Sequence, residues 1–227
     1  MARRRGPIRV AARAGLLAAA VLAVVFFALV ALYSVVDPVS TLMLARVVTG
    51  RSYERTPVRL DDVAPAAVAA VIASEDATFC ANDGVDWSAL NEVMAKAGEN
   101  GPSRGASTLT MQTAKNLFLW PGRSVVRKGL EIPMALVLGK LWPKRRTIEV
   151  YLDIAEWGDG VFGIEAAARR YFHKSAKALD PREGALLATA LPNPAKRNPA
   201  RPTMLQRRRA AEILVRAAAD PEATRCL

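Results

Sequence analysis

The hydrophobic pattern divides the chain into two unequal parts. From Leu16 to Val36 it reads LLAAAVLAVVFFALVALYSVV, 21 residues without a charge. At about 1.5 Å of rise per residue, such a helix spans roughly 31 Å, which matches a bilayer core. Arg3, Arg4, Arg5, Arg9 and Arg13 precede it, and Asp37 and Pro38 follow. The positive-inside rule then puts the basic tail, residues 1–15, in the cytoplasm and everything after Val36 outside it. A cleaved signal peptide has a shorter apolar region and small residues at its cleavage site. Val35-Val36-Asp37 is a poor site of that kind, so the pattern predicts an uncleaved anchor.

Beyond the anchor, apolar positions recur mostly at helical spacing. Residues 37–60 are mixed, with Gly50, Pro57 and several Arg, and read as a linker. A single domain is expected over 61–227. Asp61 and Asp62 precede VAPAAVAAVIASED, which predicts a helix with acidic residues at its positive end. Val68, Val71, Ile72, Glu75 and Phe79 share one face, which places Glu75 in the middle of an apolar stripe. Asn82-Asp83-Gly84 breaks the pattern. WSALNEVMAKA reads as a short helix, GENGPSRGAS as a mobile loop, and STLTMQTAKNLFLW as a helix stopped by Pro121-Gly122. RSVVRKGLEIPMALVLGKLW is helical, with Pro133 expected to kink or break it. KRRTIEVYLDIAEWG is bounded by Pro143 and Gly158. EAAARRYF and PREGALLATAL are two more helices, PNPAKRNPARP is a loop, and MLQRRRAAEILVRAAA is a closing basic helix. There is no internal repeat and no strand signal of any strength. The fold class is mostly α.

Composition agrees with this reading. Ala, Leu and Val carry most of the apolar content, and Ala and Leu are strong helix formers. The net charge of +11 suits nucleic acid, an anionic membrane surface or a phosphate-bearing substrate. No nucleic-acid motif is present, and Arg is not interleaved with aromatics, so the last two readings lead and nucleic acid is not expected as a partner. Cys80 and Cys226 make no metal spacing and no disulfide framework, and nothing in their spacing calls for a bridge. His173, the one histidine, reads as a surface or loop residue.

Four groups of residues can carry chemistry. A carboxylic acid on an apolar helix face is costly to ionise, so Glu75, with Asp76 beside it, suits general acid or base work. Its plain alternative is a helix-end carboxylate turned to solvent. Ser107, Thr108, Gln112, Lys115 and Asn116 follow a Gly-rich loop. Thr108, Gln112 and Lys115 share one helix face, which suits an anionic, oxygen-rich ligand; a solvated face explains them equally well. Arg127, Lys128 and Glu131 form the third group, and Arg145 with Glu149 the fourth. Both Arg–Glu pairs are four apart and read in isolation as surface pairs.

Taken together, SEDATFCANDGVDW, RGASTLTMQTAKNLFLW, RKGLE, KRRTIEVYLDIAEWG with GIEAAARRYF, and ALLATALPNPAKRNP resemble the five motifs of the peptidoglycan glycosyltransferases, the family that includes the glycosyltransferase domains of class A penicillin-binding proteins. They come in the family's order and at its spacing, from about Ala64 to Pro199. No transpeptidase domain follows, so the resemblance is to the monofunctional biosynthetic type. It implies a lysozyme-like fold with a smaller jaw lobe partly in the membrane. It also implies residence in a bacterial cytoplasmic membrane with the catalytic domain outside.

The resemblance assigns roles. Glu75 matches the catalytic base and Asp76 its acidic neighbour. Ser107, Thr108, Gln112, Lys115 and Asn116 match donor-site residues near a pyrophosphate. Arg127 and Lys128 match phosphate-binding residues, and Glu131 a second essential carboxylate that orients cations or helps a divalent metal, Mg or Mn, to bind. No cofactor is otherwise required. Glu149, Tyr151 and Gly158 match a motif thought mainly structural. The implied reaction joins a lipid-linked glycan strand to a lipid-linked disaccharide-pentapeptide (lipid II), inverting the anomeric carbon and releasing polyprenyl pyrophosphate. Proteins of the wall-building machinery are the implied partners. A glycan hydrolase and a non-catalytic wall-binding protein are the alternatives. Three departures stand out: Asn82 where His is usual, Ala106 for the second Gly of a pair, and Asp153 for a usual Asn.

Overall fold

The computed structural model describes residues 7–95, 107–122 and 124–227. Arg3, Arg4, Arg5, Ala106 and the Gly-rich stretch 98–105 lie outside these residues. Two compact units part between Asp37 and Pro38.

The first unit is one helix, α1 (Pro7–Tyr33). Its segment Ala11–Tyr33, 23 residues, is long and apolar enough to cross a membrane. One such N-terminal helix suits a single-pass anchor. It stops at Tyr33, before the expected Val36: the N–H groups of Val35 and Val36 turn back onto the Leu32 carbonyl.

The second unit is mostly helical and begins earlier than expected. α2 (Thr41–Val48) is capped by Ser40, whose hydroxyl accepts from the Met43 N–H at 3.2 Å. β1 (Glu54–Arg55) follows. Residues 38–60 are therefore part of the folded unit and not a linker. Leu60–Asp62 is a 3-10 turn, so Asp61 and Asp62 do not open the next helix. They pair instead with Arg145 at 2.6 Å and Lys177 at 2.9 Å. α3 (Pro65–Glu75) starts on a proline, which needs no amide partner in the first turn. α4 (Trp87–Ala95), α5 (Leu109–Phe118) and α6 (Val125–Leu141) come next. α6 continues through Pro133 and is not broken there.

α7 (Lys144–Ile154) ends four residues before Gly158, because Glu156–Gly158 forms β2. β3 (Val161–Phe162) pairs antiparallel with β2 and parallel with β1, giving a three-stranded sheet in the order β1-β3-β2. Each strand has two or three residues, too few for an alternating pattern to show in the sequence. α8 (Ile164–Phe172), α9 (Pro181–Ala190) and α10 (Met204–Ala219) complete the unit. His173 is exposed and ends α8 in the left-handed conformation, as a loop histidine should.

α3 lies at the centre. Ala67, Ala70, Val71 and Ile72 are fully buried, between α9 and α10. α9 comes so close that a side chain at Gly184 would meet the Ala67 Cα at 2.7 Å. After α10 the chain turns back through Pro221–Thr224, and Cys226 reaches Cys80, just beyond α3. The two form a disulfide with Cα atoms 5.6 Å apart, against the expectation of no bridge. Their separation of 146 residues hid it, because only the packing of α10 on α3 brings them together.

A crosslink closing so long a loop restricts the unfolded chain strongly. Replacing both cysteines by serine is expected to cost about 2–5 kcal/mol. Thermal melting of the oxidised protein beside the double variant checks this, and coincident melts would show that the bridge does not stabilise the fold.

Candidate active site

α3 carries the first candidate to its very end. Glu75 is the last residue of the helix, and Asp76 is its C-cap. The apolar stripe therefore stops at Glu75 and does not surround it, and Phe79 is buried in the turn beyond. Glu75 is half-buried. Ser74 Oγ donates to its Oε1 at 3.2 Å, and Gln112 Nε2 donates to its Oε2 at 3.1 Å. Tyr151 Oη donates in turn to Gln112 Oε1 at 3.2 Å. Burial pushes the Glu75 carboxyl above the ordinary range, opposed by these two hydrogen bonds and the charges of Lys115 and Arg197.

Asp76 faces inward. It accepts from the Leu109 N–H at 3.0 Å, Asn82 Nδ2 at 3.0 Å and Thr78 Oγ1 at 3.2 Å. Leu109 is the first residue of α5, so this carboxylate pins the end of α3 to the positive end of α5. Burial raises its pKa, with the same hydrogen bonds opposing. Thr108 caps α5: its hydroxyl accepts from the Met111 N–H at 3.1 Å and donates to the Gly84 carbonyl at 2.6 Å.

Asn82, where the family pattern has His, organises the intervening turn. Its Oδ1 accepts from the Gly84 N–H at 2.9 Å, and Lys144 Nζ donates to its carbonyl at 2.6 Å. Gly84 has φ +105°, and a Cβ there would lie 2.4 Å from the Ala135 carbonyl oxygen, so only glycine lets this turn sit on α6.

The cationic group gathers where α5 meets the start of α6. Arg127 pairs with Glu131, and Lys128 Nζ donates to Glu131 Oε2 at 3.0 Å and to Ser107 Oγ at 2.6 Å. Glu131 is only 3% exposed. The expected surface pair is a buried one, with both carboxylate oxygens engaged by cations. Lys115 is pushed below its ordinary pKa by burial; Glu131 and Glu75 oppose this, while Arg127 and Lys128 reinforce it. Asn116 is buried beside Lys115, and its carbonyl accepts from Thr41 Oγ1 at 3.1 Å. The Nε of Arg127 is buried and makes no hydrogen bond among the described residues.

The Arg145–Glu149 pair does not form. Arg145 goes to Asp61, as described above. Glu149 is buried, accepting from Arg146 Nη1 at 2.6 Å and the Leu60 N–H at 2.9 Å. The first half of α7 thus holds the 3-10 turn before α3. Asp153, in place of a usual Asn, makes a buried ion pair with Arg55 on β1.

Two cavities flank the Glu75–Lys115 pair. Glu75 lines an open cleft of about 1150 Å³ together with Arg197 and with Arg208, Arg209 and Arg216 of α10. Lys115, Asn116 and Arg127 line a second of about 360 Å³, together with Thr41 and Trp120. A separate cavity of about 460 Å³ beside Val68 and Leu227 holds none of Glu75, Lys115, Arg127 or Glu131. Of the expected residues, Glu75, Gln112, Lys115, Arg127, Lys128, Glu131, Ser107 and Asn116 come together around the first two cavities. Asp76 and Thr108 hold the elements that carry them. Sequence reasoning did not single out Tyr151 for Gln112, or the arginines of the cleft, although Arg197 lies within the last motif and the others on a helix already read as basic. Among the described residues, no group of three or more His, Cys, Asp or Glu side chains is placed to hold a metal.

A transglycosylase family model matches residues 42–218. The chain belongs to the transglycosylase family. A biosynthetic peptidoglycan transglycosylase of Brucella suis biovar 1 (strain 1330) is 52% identical over 193 residues, covering 85% of this chain and 86% of that protein. One from Rhizobium meliloti (strain 1021) is 49% identical over 203 residues, covering 88% and 86%. One from Rhodospirillum centenum (strain ATCC 51521 / SW) is 51% identical over 194 residues, covering 85% and 84%. The mostly helical architecture agrees with the lysozyme-like fold expected of a transglycosylase. The matched span begins after α1 and takes in every residue of both flanking cavities except Thr41.

In this transglycosylase the Glu131 carboxylate is buried and the Arg127 guanidinium largely so, and removing the carboxylate strands that cation. Glu131→Ala is expected to lose about 3–5 kcal/mol, and Glu131→Leu with Arg127→Met to recover most of it. Denaturant melts of the three proteins test this. A Glu131→Ala protein as stable as wild type would contradict the buried pair.

Proposed function

We propose that this chain polymerises peptidoglycan glycan strands, with Glu75 as the general base and Lys115, Arg127 and Lys128 as the charges that hold the leaving pyrophosphate. One observation carries the reading: a partly desolvated carboxylate and a group of cations, near enough for Lys115 to act on Glu75 by charge, each line their own cavity. The relatives named as biosynthetic peptidoglycan transglycosylases support the substrate class.

The acceptor, a lipid-linked disaccharide-pentapeptide, enters the larger cleft. Its 4-hydroxyl faces Glu75, and the arginines of the cleft answer the charge of its own pyrophosphate. Glu75 takes the hydroxyl proton as the oxygen attacks the anomeric carbon of the donor strand. The bond from that carbon to the donor's pyrophosphate oxygen breaks, and the configuration inverts. The departing charge develops beside Lys115, Arg127 and Lys128, fixed in a water-poor site where such charges act strongly. The unpaired Nε of Arg127 is a further donor for it. Pyrophosphate leaves readily, so no protein acid is needed. A glycan hydrolase needs such an acid for a poor sugar leaving group and gives the cationic group nothing to do.

Glu131 orients Arg127 and Lys128. Its two oxygens already face these cations, and a single carboxylate between two positive charges is a poor site for a divalent metal. The anchor places the N-terminus in the cytoplasm and the domain outside. Arg13 before the apolar segment and the Cys80–Cys226 bridge, of a kind that persists in oxidising compartments, both support this orientation. Both substrates are fixed by their tails in one leaflet, and a tethered enzyme meets them at high effective concentration.

Glu75→Gln keeps the shape and still accepts from Gln112, but cannot take a proton. Polymer formation from lipid-linked disaccharide, followed by product sizing, is expected to slow by about a hundred- to ten-thousand-fold. Stability runs the other way. The folded carboxyl titrates above its unfolded value, so its cost is absent below the unfolded pKa and full above the folded one. The variant should melt at or above wild type at pH 7, with the difference vanishing in acid. Polymer made at near wild-type rate by a folded Glu75→Gln protein would remove Glu75 as the base, and products that shrink would favour the hydrolase.

A further inference from the structure

Glu75 is oriented by Gln112, and Gln112 is itself oriented by a residue of α7 that no step above uses. An ionised carboxylate only accepts hydrogen bonds, so the amide must present its N–H side to Glu75. That leaves Gln112 Oε1 pointing into the interior, where an unmet acceptor is costly. Tyr151 meets it. The residue is buried to 1% exposure, on a helix that is itself core. Among the described residues its hydroxyl makes one hydrogen bond, the 3.2 Å contact to Gln112 Oε1. Burial, with the Glu75 charge adding to it, holds the phenol pKa well above its ordinary value, so the hydroxyl stays a donor throughout the working range. A relay of fixed direction results, from phenol to amide oxygen and from amide nitrogen to carboxylate, spanning α7, α5 and α3.

We propose that Tyr151 is a positioning residue for Glu75: by donating to the Gln112 carbonyl oxygen, it commits the amide N–H to the carboxylate and holds that carboxylate in its proton-accepting orientation. This rests on the reading of Glu75 as the base. A phenylalanine fills the same volume and leaves the amide free to rotate, so the proposal separates the hydroxyl from the ring.

The other groups facing Glu75 stay in place. Ser74 bonds to it, Lys115 of α5 and Arg197 act on it by charge, and Asp76 adjoins it. Arg208, Arg209, Glu212 and Arg216 of α10 line the same cleft. A change confined to Tyr151 therefore alters only how well the amide donates.

Tyr151→Phe, in the full-length protein, is expected to lower kcat by roughly ten- to a hundredfold with KM within about twofold, the signature of a misplaced catalytic group. The acid limb of the kcat–pH profile should move to higher pH, because a weaker donor stabilises the carboxylate less. On a Gln112→Ala background the same substitution should add less than about twofold, since its route to Glu75 is gone. A readout independent of turnover is the infrared carboxyl titration of Glu75, taken as a difference against Glu75→Gln. It should shift up in Tyr151→Phe whether or not polymer is made, so failure of the relay is told apart from failure of the polymerase reading. An unshifted titration, or equal losses on both backgrounds, overturns the proposal. If Tyr151→Phe fails to fold, Gln112→Ala alone must shift the titration, and an unshifted value overturns the proposal equally.

Discussion

The near contact of two helix backbones governs this molecule. At Gly184 the helix α9 lies against α3 with no room for a side chain, and α10 covers a further side. A helix enclosed in this way can carry only small and apolar residues, as Ala67, Ala70, Val71 and Ile72 show. Where such a helix ends, whatever follows emerges from the interior. Here that is Glu75, a charge delivered to the edge of the core by an element that cannot shift. Asp76 on the α5 amide, Gly84 on α6 and the Cys80–Cys226 bridge then fasten the turn beyond it.

The site uses two carboxylates, Glu131 buried and Glu75 half-buried, in opposite ways. Glu131 has cations on both oxygens and serves to hold them. Glu75 has a hydroxyl and an amide as its direct partners, with Lys115 and Arg197 acting only by charge. Neutral donors leave a carboxylate reactive toward protons, and ion pairs do not. The difference in role follows from which element supplies the neighbours: α6 brings Arg127 and Lys128 to Glu131 within its own turns, whereas Glu75 sits at a helix end and depends on α5 for its partner.

Much of this is legible in the amino-acid sequence. Long apolar and amphipathic runs announce α1 and most of α3–α10, because helical periodicity builds up over ten or more residues. The motif order brought the acidic and cationic residues into one family pattern, and they do converge. What stayed hidden is non-local or brief. Three strands of two or three residues carry no period. α2 and β1 lay in a stretch whose polar and apolar residues are mixed, and only pairing with α5 and β3 gives them a place. The disulfide depends on how α10 crosses α3. The four-residue rule found the Arg127–Glu131 pair but mistook its burial, and it proposed Arg145–Glu149 where Asp61 claimed Arg145 and where Arg146 and the Leu60 N–H claimed Glu149. Tyr151 looked structural because its partner lies 39 residues away.

The central claim is that a carboxylate at the end of α3 takes the acceptor's proton. Chemical rescue tests it most directly. Glu75→Ala removes the base and leaves space beside a cleft of about 1150 Å³, wide enough to admit formate. Polymer formation by the purified variant should be nearly absent in chloride, should rise with formate concentration, and should follow the ionised fraction of the added acid. A Glu75→Ala protein that polymerises without formate, or one that binds lipid-linked substrate yet gains nothing from any small carboxylate, would contradict the account.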